Sequence, residues 1–551
     1  MASGSDPPDR PHRPHRPDGP DAATPAPGLR RRSLLLAPAT LLAAKALAVD
    51  HPAPPPIELE EASATALAQA LREGRTTAED LVAGYSARIE AVDRRGPRLN
   101  SIIEMNPEAL AIARERDAER RAGRLRGPLH GLPVLLKDNI ATGDRMSTSG
   151  GSMALAGVRA VRDAHLVKRL RDAGAVILAK TNLSEWANIR STRSTSGWSA
   201  RGGLTRNPYA LDRSTSGSSA GTGAAMAASL AALGVGTETD GSIVSPSSIN
   251  GLVGLKPTIG RISRDGVIPI SHTQDTAGPM TRTVADAALL YAAMAGADGA
   301  DPATLRAPAQ DPAAPGGPPL QGARLGVARA YFTGFDEADA LVEQAIAVLR
   351  AQGAVIIDDV GLPKDDYGDA ELAVLLHEFK HDLGVWLQTF APQAPVQSLA
   401  HVIAFNSAHR ATEMPWFGQE LFERAQALGG LDDPAYRDAL AACAAGARTQ
   451  GLDAVIAQHR LDAVIAPTGG PSWLIDYVSG DHSGASFSTP AAVAGYPHLT
   501  VPAGFVRGLP LGLSFVGPAY SEARLLALGA AFEQATRLRR APQYPARTAP
   551  G

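Results

Sequence analysis

Hydrophobic positions in the first third of the chain recur at helical spacing. Leu81, Tyr85 and Ile89 fall on one face of a helix, and residues 76–79 (Thr-Thr-Ala-Glu) have the pattern of a capping box. The periodicity therefore predicts helical structure over residues 57–119.

Further along the chain, short apolar runs alternate with amphipathic segments. We predict strands at residues 134–136, 175–179, 233–237, 324–330, 354–358 and 463–466, and helices at 165–173, 222–233, 337–352, 371–390 and 398–427. Alternation of strands and helices is typical of α/β proteins, so we predict that fold class. Residues 371–427 are expected to form a helical insertion over the functional site.

The composition excludes several classes of protein. The chain has 551 residues, 44% of them apolar and 20% charged, which is enough to bury a large core. A net charge of −3 gives no basic footprint for nucleic acid and no polybasic surface for stable membrane association. One cysteine, Cys443, cannot form an internal disulfide, and we expect it to pack as a small hydrophobic residue.

The N-terminal segment has the order of an export signal. Residues 1–29 are rich in Pro, Arg, Asp and His and are expected to be disordered. Three arginines at 30–32, an apolar run to Leu47 and an Ala-Leu-Ala site at 46–48 then predict a twin-arginine signal peptide. The alternative is a disordered tail with a chance apolar run. We expect a boundary after residue 48, a folded domain over 49–546, and a periplasmic or secreted protein (cytoplasmic if the signal is not used).

Residues 214–258 are dense in Gly, Ala and Ser and contain little charge. Within them, Ser218 lies in the sequence SGSSAG and Ser242 in the sequence TDGS. Small residues at this density allow close approach of backbone segments, and glycine permits tight turns. The alternative is a flexible linker, but the apolar run at 224–233 is not typical of linkers.

Together with an upstream block, this stretch resembles the signature of the amidase signature family. Ser218 and Ser242 stand 24 positions apart, and the sequence GLPVLLKD at 131–138 contains Lys137. The resemblance implies a large mixed β-sheet flanked by helices on both faces. It also implies a Ser–Ser–Lys triad in which Ser242 is the nucleophile, Ser218, preceded by a cis peptide bond, is the bridge, and Lys137 is the base. No metal or other cofactor is expected.

Lys137 can act as a base only if it is neutral near pH 7. Burial disfavours the charged form of lysine, and the apolar run before Lys137 suits a buried position. The alternative is a salt-bridged lysine, for example with Asp138. A serine hydroxyl such as that of Ser242 is a weak nucleophile without a base within hydrogen-bonding reach.

The turn before the nucleophile is expected to form an oxyanion hole. The backbone N–H groups of Thr239, Asp240 and Gly241, with that of Ser242, are the predicted donors. Asp240 stands where glycine is commoner in the family, and its carboxylate could influence substrate choice. Ser219 is predicted to support the site as a structural hydrogen-bond partner.

Several other stretches resemble the bacterial peptide amidases of this family, which remove the C-terminal amide of peptides. They are residues 181–188, 196–203, 236–241 and 263–271. We therefore expect an amidase that releases ammonia from peptide amides, with small aliphatic or aromatic amides as the alternative substrates. A further alternative is a non-catalytic or partner-dependent subunit like that of transfer-RNA amidotransferase. We expect a monomer or homodimer whose partner is the amide substrate.

One motif favours another class of enzyme. His377, Glu378 and His381 fit the pattern H-E-x-x-H on a predicted helix, and His401 could be a third ligand. This pattern would make the chain a zinc-dependent peptidase. Because so short a pattern also arises by chance, we expect a solvated helix face instead.

Overall fold

The computed structural model describes residues 57–308, 320–364 and 366–548. The predicted signal peptide at 1–48 lies outside these ranges, as does most of the proline-rich stretch at 307–320 that separates two predicted elements.

An 11-stranded mixed sheet and a two-stranded ribbon contain the strands of the described residues. The strands are β1 (Ile102–Met105), β2 (Pro133–Lys137), β3 (Val176–Thr181), β4 (Trp198–Ser199), β5 (Gly203–Leu204), β6 (Leu233–Glu238), β7 (Val253–Lys256), β8 (Thr276–Thr281), β9 (Arg324–Val327), β10 (Val355–Ile357), β11 (Ala463–Pro467), β12 (His498–Val506) and β13 (Leu509–Val516). The order in the large sheet is β1-β3-β2-β6-β8-β7-β12-β13-β11-β9-β10. Parallel pairs join β3-β2-β6 and β11-β9-β10, and the remaining neighbours are antiparallel.

Helices flank this sheet, as the resemblance implied. They are α1 (Ala64–Arg72), α2 (Ala78–Arg88), α3 (Ala109–Arg121), α4 (His165–Asp172), α5 (Ala220–Ala227), α6 (Val244–Ile249), α7 (Val284–Met294), α8 (Pro302–Arg306), α9 (Asp336–Ala351), α10 (Gly368–Phe390), α11 (Leu399–Ala408), α12 (Arg410–Glu413), α13 (Glu420–Ala427), α14 (Pro434–Ala444), α15 (Asp453–His459), α16 (Thr489–Ala494) and α17 (Glu522–Thr536). The predicted α/β class is confirmed, and β9, α9 and β10 form the expected parallel βαβ unit.

The small residues of the central stretch allow α5 to pack closely on β6. A Cβ atom at Gly234 would lie 2.6 Å from the Cγ of Met226, and one at Gly236 would lie 2.8 Å from the Oγ of Ser219. Both distances are too short for a side chain, so β6 requires glycine where α5 crosses it. The stretch is therefore part of the core, and the linker alternative is wrong.

Several element boundaries differ from the prediction. The capping box of α2 uses Thr77 and Asp80, one residue later than predicted, because Asp117 binds the N–H groups of Ala78 and Glu79 and fixes the first turn. The region predicted as wholly helical also contains β1, which pairs with β3 at the sheet edge.

Two predicted helices end earlier or are divided in the structure, and each change has a local cause. The helix predicted at 222–233 ends at Ala227, and Ser229 adopts a left-handed φ of 55° before β6 begins. The stretch predicted as helical at 398–427 divides into α11, α12 and α13. Pro415 lies between α12 and α13, where its missing N–H prevents a continuous helix.

Two further expectations concern membranes and the single thiol. In the described ranges, no helix combines the length and apolar character needed to span a bilayer.

Cys443 is buried in α14, and burial raises the pKa of its thiol to about 11. The thiol is therefore protonated at neutral pH and packs as a small apolar group, as expected.

Candidate active site

The site lies where two parallel strands end next to each other. β2 and β6 are neighbours in the sheet, with Leu136 paired to Val235. Because both strands point the same way, Lys137 at the end of β2 emerges beside the turn that follows β6. This turn, residues 239–242, connects β6 to α6 and carries Ser242, which is 7% exposed. Gly241 adopts a φ of +76° there, which favours glycine.

Three predicted residues meet at this point. Lys137 Nζ donates a hydrogen bond to Ser218 Oγ at 2.7 Å, and Ser218 Oγ donates to Ser242 Oγ at 2.9 Å. Lys137 and Ser218 are fully buried. The Gly217–Ser218 peptide bond is cis. The structure thus brings together the amine and the two hydroxyls in one hydrogen-bonded series.

Burial lowers the pKa of Lys137 to about 7, although the carboxylates of Asp275 and Glu238 act in the opposite direction. The amine also bonds Thr237, at 3.1 Å to its carbonyl oxygen and 2.9 Å to its Oγ1. A neutral amine has two N–H bonds and one lone pair. When both N–H bonds point to Thr237, the lone pair faces Ser218 and can accept its proton.

Sequence reasoning missed Thr237 and Asn139, which orient this amine. Asn139 Nδ2 donates to Thr237 Oγ1 at 2.9 Å. Ser219, predicted as a supporting residue, donates its Oγ proton to the Thr237 carbonyl at 3.0 Å and accepts the Thr237 N–H at 3.2 Å. Its own N–H donates to the carbonyl of Ser242 at 3.2 Å. The one sequence signal for Asn139 was its position two residues after Lys137, at the end of an apolar strand.

The turn at 239–242 presents a row of free backbone donors. The N–H groups of its four residues donate no hydrogen bond to any other residue in the described part of the chain. The next two N–H groups, of Ile243 and Val244, are held by Glu238 Oε2 at 2.7 and 3.0 Å. Free N–H groups beside a nucleophilic hydroxyl can stabilise an oxyanion in the manner of an oxyanion hole.

The side chain of Asp240 contacts the beginning of α16. Its Oδ2 accepts a hydrogen bond from Thr489 Oγ1 at 2.7 Å. Burial raises the pKa of the Asp240 carboxyl, and hydrogen bonds from Ser488 and Thr489 lower it. In this arrangement the carboxylate links the turn to a neighbouring helix.

A buried ionic cluster joins the helical insertion to the region before Ser218. Arg190, fully buried, donates Nη1 hydrogen bonds to Glu185 Oε1 and to the carbonyl oxygen of Glu413 in α12. Its guanidinium carbon lies 4.3 Å from the ring centroid of Phe417. Glu185 directly follows Ser184, whose N–H donates a hydrogen bond to the Ser218 carbonyl at 3.1 Å. The same short turn therefore contacts both Arg190 and Ser218. The insertion is thereby anchored beside the triad.

The two histidines of the H-E-x-x-H pattern lie in different environments on α10. His377 is buried, and its ring centroid lies 5.5 Å from that of Tyr436. The side chain of His381 is 54% exposed, and its Nδ1 lies 2.8 Å from Asp382 Oδ1. His401 Nδ1 accepts the N–H of Gln397 at 3.2 Å. These contacts engage each ring separately. Because His377 and Glu378 are buried, the expectation of a solvated helix face is wrong for these two residues.

Glu378, the acidic residue of that pattern, has a different set of partners. Among the described residues, the one group of possible metal ligands within 4.8 Å of each other is His272, Glu378 and Asp382, which omits His377, His381 and His401. Glu378 is buried and accepts hydrogen bonds from Tyr436 Oη at 2.7 Å and Thr273 Oγ1 at 3.1 Å. It thus connects α10 to the loop before β8 rather than to the two histidines of the motif.

Comparisons with known proteins identify the family of the chain. A sequence profile described as amidase matches residues 80–526. A probable amidase of Arabidopsis thaliana is 39% identical over 502 residues, which cover 88% of this chain and 92% of that protein. A glutamyl-tRNA(Gln) amidotransferase subunit of Halorhodospira halophila is 35% identical over 492 residues, covering 85% of this chain and 96% of that protein.

Solved structures give the same assignment. The native peptide amidase of Stenotrophomonas maltophilia is 52% identical, with a TM-score of 0.84, over 88% of this chain and 99% of that one. A peptide amidase bound to the competitive inhibitor chymostatin is 51% identical, with a TM-score of 0.85 and the same coverage of each chain. This protein is an amidase, a hydrolase of carbon–nitrogen bonds other than peptide bonds, and belongs to the amidase signature family.

Proposed function

We propose that the protein hydrolyses the C-terminal carboxamide of peptides and releases ammonia, through an acyl-enzyme on Ser242. The observation that carries this proposal is the series Lys137 Nζ–Ser218 Oγ–Ser242 Oγ, with distances of 2.7 and 2.9 Å. In this proposal Thr239, Asp240 and Gly241, with Ser242, supply the backbone N–H groups of the oxyanion hole, and Ser219 supports them.

The first half of the reaction forms the ester. Ser242 Oγ attacks the carboxamide carbon and gives its proton to Ser218 Oγ, which passes its own proton to the neutral amine of Lys137. The carbonyl oxygen becomes an oxyanion held by the N–H groups of the turn. When the oxyanion collapses, the carbon–nitrogen bond breaks. The leaving nitrogen takes a proton from Ser218, which Lys137 replaces, and ammonia departs.

The second half hydrolyses the ester through the same groups. Water attacks the acyl carbon while its proton passes through Ser218 to Lys137. Collapse of the second oxyanion breaks the bond to Ser242 Oγ, which takes a proton back from Ser218. The enzyme then returns to its starting protonation state, and the peptide leaves with a free carboxyl group, which gives its remaining proton to the solvent.

Similarity supports the peptide substrate. The two peptide amidases are 51% and 52% identical to this chain and are covered over 99% of their lengths. The amidotransferase protein, at 35% identity, is a more distant relative, and so is the probable plant amidase at 39%. Small aliphatic or aromatic amides remain the alternative substrates for the same triad.

We also propose that the protein is exported. Support comes from the sequence alone, namely three arginines at 30–32, the apolar run and the Ala-Leu-Ala site at 46–48. Fractionation of cells that express the full chain should find a shortened protein outside the cytoplasm. Replacement of the first two arginines by lysine should keep it inside, and full-length cytoplasmic protein in both cases would contradict export.

Ammonia release tests the proposed function. The substrates are a short C-terminally amidated peptide, the same peptide with a free carboxylate and internal amide bonds only, and a small aromatic amide. We expect ammonia from the amidated peptide, no cleavage of the internal bonds, and no ammonia from Ser242→Ala. Faster turnover of the aromatic amide than of the peptide would contradict the proposal that peptide amides are the substrates. Activity retained in Ser242→Ala would contradict the acyl-enzyme mechanism.

A further inference from the structure

Asp275 lies beside the nucleophile turn, and no step of the proposed reaction uses it. In the register of β6 and β8, Thr276 pairs with Glu238 and Ala277 pairs with Thr237. The residue before Thr276 is therefore opposite Thr239, the first residue of the turn. Asp275 is 6% exposed, so its carboxylate is placed in the interior next to the reacting groups.

Two side chains of this segment hold Thr239. Asp275 Oδ1 accepts a hydrogen bond from Thr239 Oγ1 at 2.6 Å. Gln274 Nε2 donates to the Thr239 carbonyl oxygen at 3.4 Å and to Glu371 Oε1 at 2.8 Å. Since a peptide group is planar and trans, the Thr239 carbonyl and the Asp240 N–H point to opposite sides. Anchoring the carbonyl therefore turns the Asp240 N–H away from Gln274 and leaves it available to an oxyanion.

Backbone groups fix the carboxylate itself. Asp275 Oδ2 accepts the N–H groups of Ile270 and Ser271 at 2.8 and 2.9 Å. With the bond from Thr239, the two oxygens receive three hydrogen bonds and cannot rotate freely. Burial raises the pKa of Asp275 to about 6, although these bonds and the charge of Arg264 lower it. The carboxylate is accordingly ionised above about pH 6.

The same carboxylate lies at the start of the strand next to the residue that binds Lys137. The amine of Lys137 bonds Thr237 Oγ1 at 2.9 Å, and Thr237 pairs with Ala277, two residues after Asp275. Burial lowers the pKa of Lys137, and Asp275 is the larger of two charges that raise it, Glu238 being the other. Arg264, which pairs with Asp301 at 2.5 Å, is the cation facing Asp275. Each turnover forms an ammonium on Lys137 in a buried position, where a carboxylate favours the protonated form.

We propose that Asp275 is a positioning residue for amide hydrolysis that fixes the oxyanion turn through Thr239 and stabilises the protonated form of Lys137 with its charge. This role rests on the proposed function, because it requires Lys137 to accept the proton of Ser218. Asp275 would act through these two neighbours without touching the substrate.

Two variants separate the charge from the hydrogen bond. In Asp275→Asn, Oδ1 can still accept the N–H groups of Ile270 and Ser271 while Nδ2 donates to the Thr239 hydroxyl, so the shape stays and the charge is lost. In Thr239→Val, the hydroxyl of residue 239 is lost and the charge of Asp275 stays. A lower folded fraction leaves the position of a pH limb unchanged as long as that fraction is constant over the pH range, which circular dichroism at each pH checks.

The test is the pH dependence of kcat/KM for ammonia release from an amidated peptide. We expect the acid limb of Asp275→Asn to lie about one pH unit below that of the wild type, because the pKa of Lys137 falls when a neighbouring negative charge is removed. We expect Thr239→Val to lose about tenfold in kcat with the limb unmoved, since the turn loses an anchor.

Two outcomes would overturn the role of Asp275. One is an unmoved limb in Asp275→Asn, and the other is an equal displacement of the limb in Thr239→Val. Both leave the proposed function intact if the wild type releases ammonia and Ser242→Ala does not. Activity in Ser242→Ala would instead overturn the proposed function itself.

Discussion

Ser218 and Ser242 share a hydrogen bond of 2.9 Å between their Oγ atoms, although they stand 24 positions apart in the chain. Between them the chain forms α5 and β6, and the close packing of these elements returns Ser242 to Ser218. Because Lys137 bonds Ser218 on its other side, Ser242 reaches the amine through a second hydroxyl. In the proposed mechanism, Ser218 is therefore as necessary to proton transfer as Ser242 itself.

Removal of this intermediate hydroxyl should therefore abolish most activity. We expect Ser218→Ala to lower kcat by roughly 10²- to 10⁴-fold, the usual effect of losing acid–base catalysis, with a smaller change in KM. Ser86→Ala is a suitable control, since the Ser86 hydroxyl, among the residues that the structure describes, bonds only within α2, to the Val82 carbonyl. Steady-state ammonia release from both variants checks this, and a Ser218→Ala enzyme with wild-type kcat would exclude the relay.

The protonation state of Lys137 predicts how kcat/KM changes at low pH. Its pKa is lowered to about 7 by burial, so the amine is neutral above that pH and protonated below it. Only the neutral form accepts a proton, so kcat/KM should fall with a slope of one as pH decreases below about 7. A profile that stays flat down to pH 5, measured with a neutral substrate, would contradict a lysine base.

The buried cluster of Arg190 with two carboxylates should respond differently to loss of each member. Burial raises the pKa of Glu185 well above its usual range, against the opposite effect of Arg190, and the charge of Glu413 adds to the rise. One of the two carboxyl groups, that of Glu185, can therefore carry a proton while Arg190 keeps its charge. We expect Glu413→Gln to be tolerated, because its amide can still accept the Met153 N–H that Glu413 binds at 2.8 Å.

Arg190→Met, in contrast, leaves Glu185 and Glu413 buried without a cation. We expect a loss of roughly 3–5 kcal/mol in the free energy of unfolding. Thermal unfolding of both variants under the same conditions measures the difference. Equal melting temperatures for Arg190→Met and the wild type would show that the cluster does not anchor the insertion.

The H-E-x-x-H pattern gives a prediction about metal. The side chain of His381 is 54% exposed and bonds Asp382, its neighbour in sequence. We expect His381→Ala to retain kcat/KM within about twofold, as for most surface substitutions, and EDTA to leave ammonia release unchanged. Loss of activity in both experiments, restored by zinc, would favour a metallopeptidase.

The contact of Lys137, Ser218 and Ser242 could be predicted because these residues lie in short, recognisable segments. The sequences around Lys137, Ser218 and Ser242 each fix a local turn or strand end, and their order and spacing matched one family. The neighbours Thr237, Asn139 and Asp275 could not be found this way. Their contacts depend on which strands pair and in what register, and a single sequence does not specify pairing across the sheet.

The same limit explains the errors in the fold. Residues of β12 are buried along nearly the whole strand, so no alternation of polar and apolar residues marked it. The predicted helix at 371–390 was correct as α10, and it carries both histidines of the metal pattern. Helical spacing did not show that Glu378 faces Ser271 and Thr273 of another loop, because that contact is tertiary.

Partitioning with hydroxylamine tests the acyl-enzyme most directly. The wild type is given the amide and the methyl ester of one peptide at a fixed hydroxylamine concentration, and hydroxamate and free acid are measured. We expect the same product ratio from both substrates after the reaction without enzyme is subtracted, because both pass through one ester of Ser242. We expect Ser242→Ala to add nothing to the reaction without enzyme. Different ratios from the two substrates, or hydroxamate formed by Ser242→Ala above the rate without enzyme, would contradict a common acyl-enzyme on this serine.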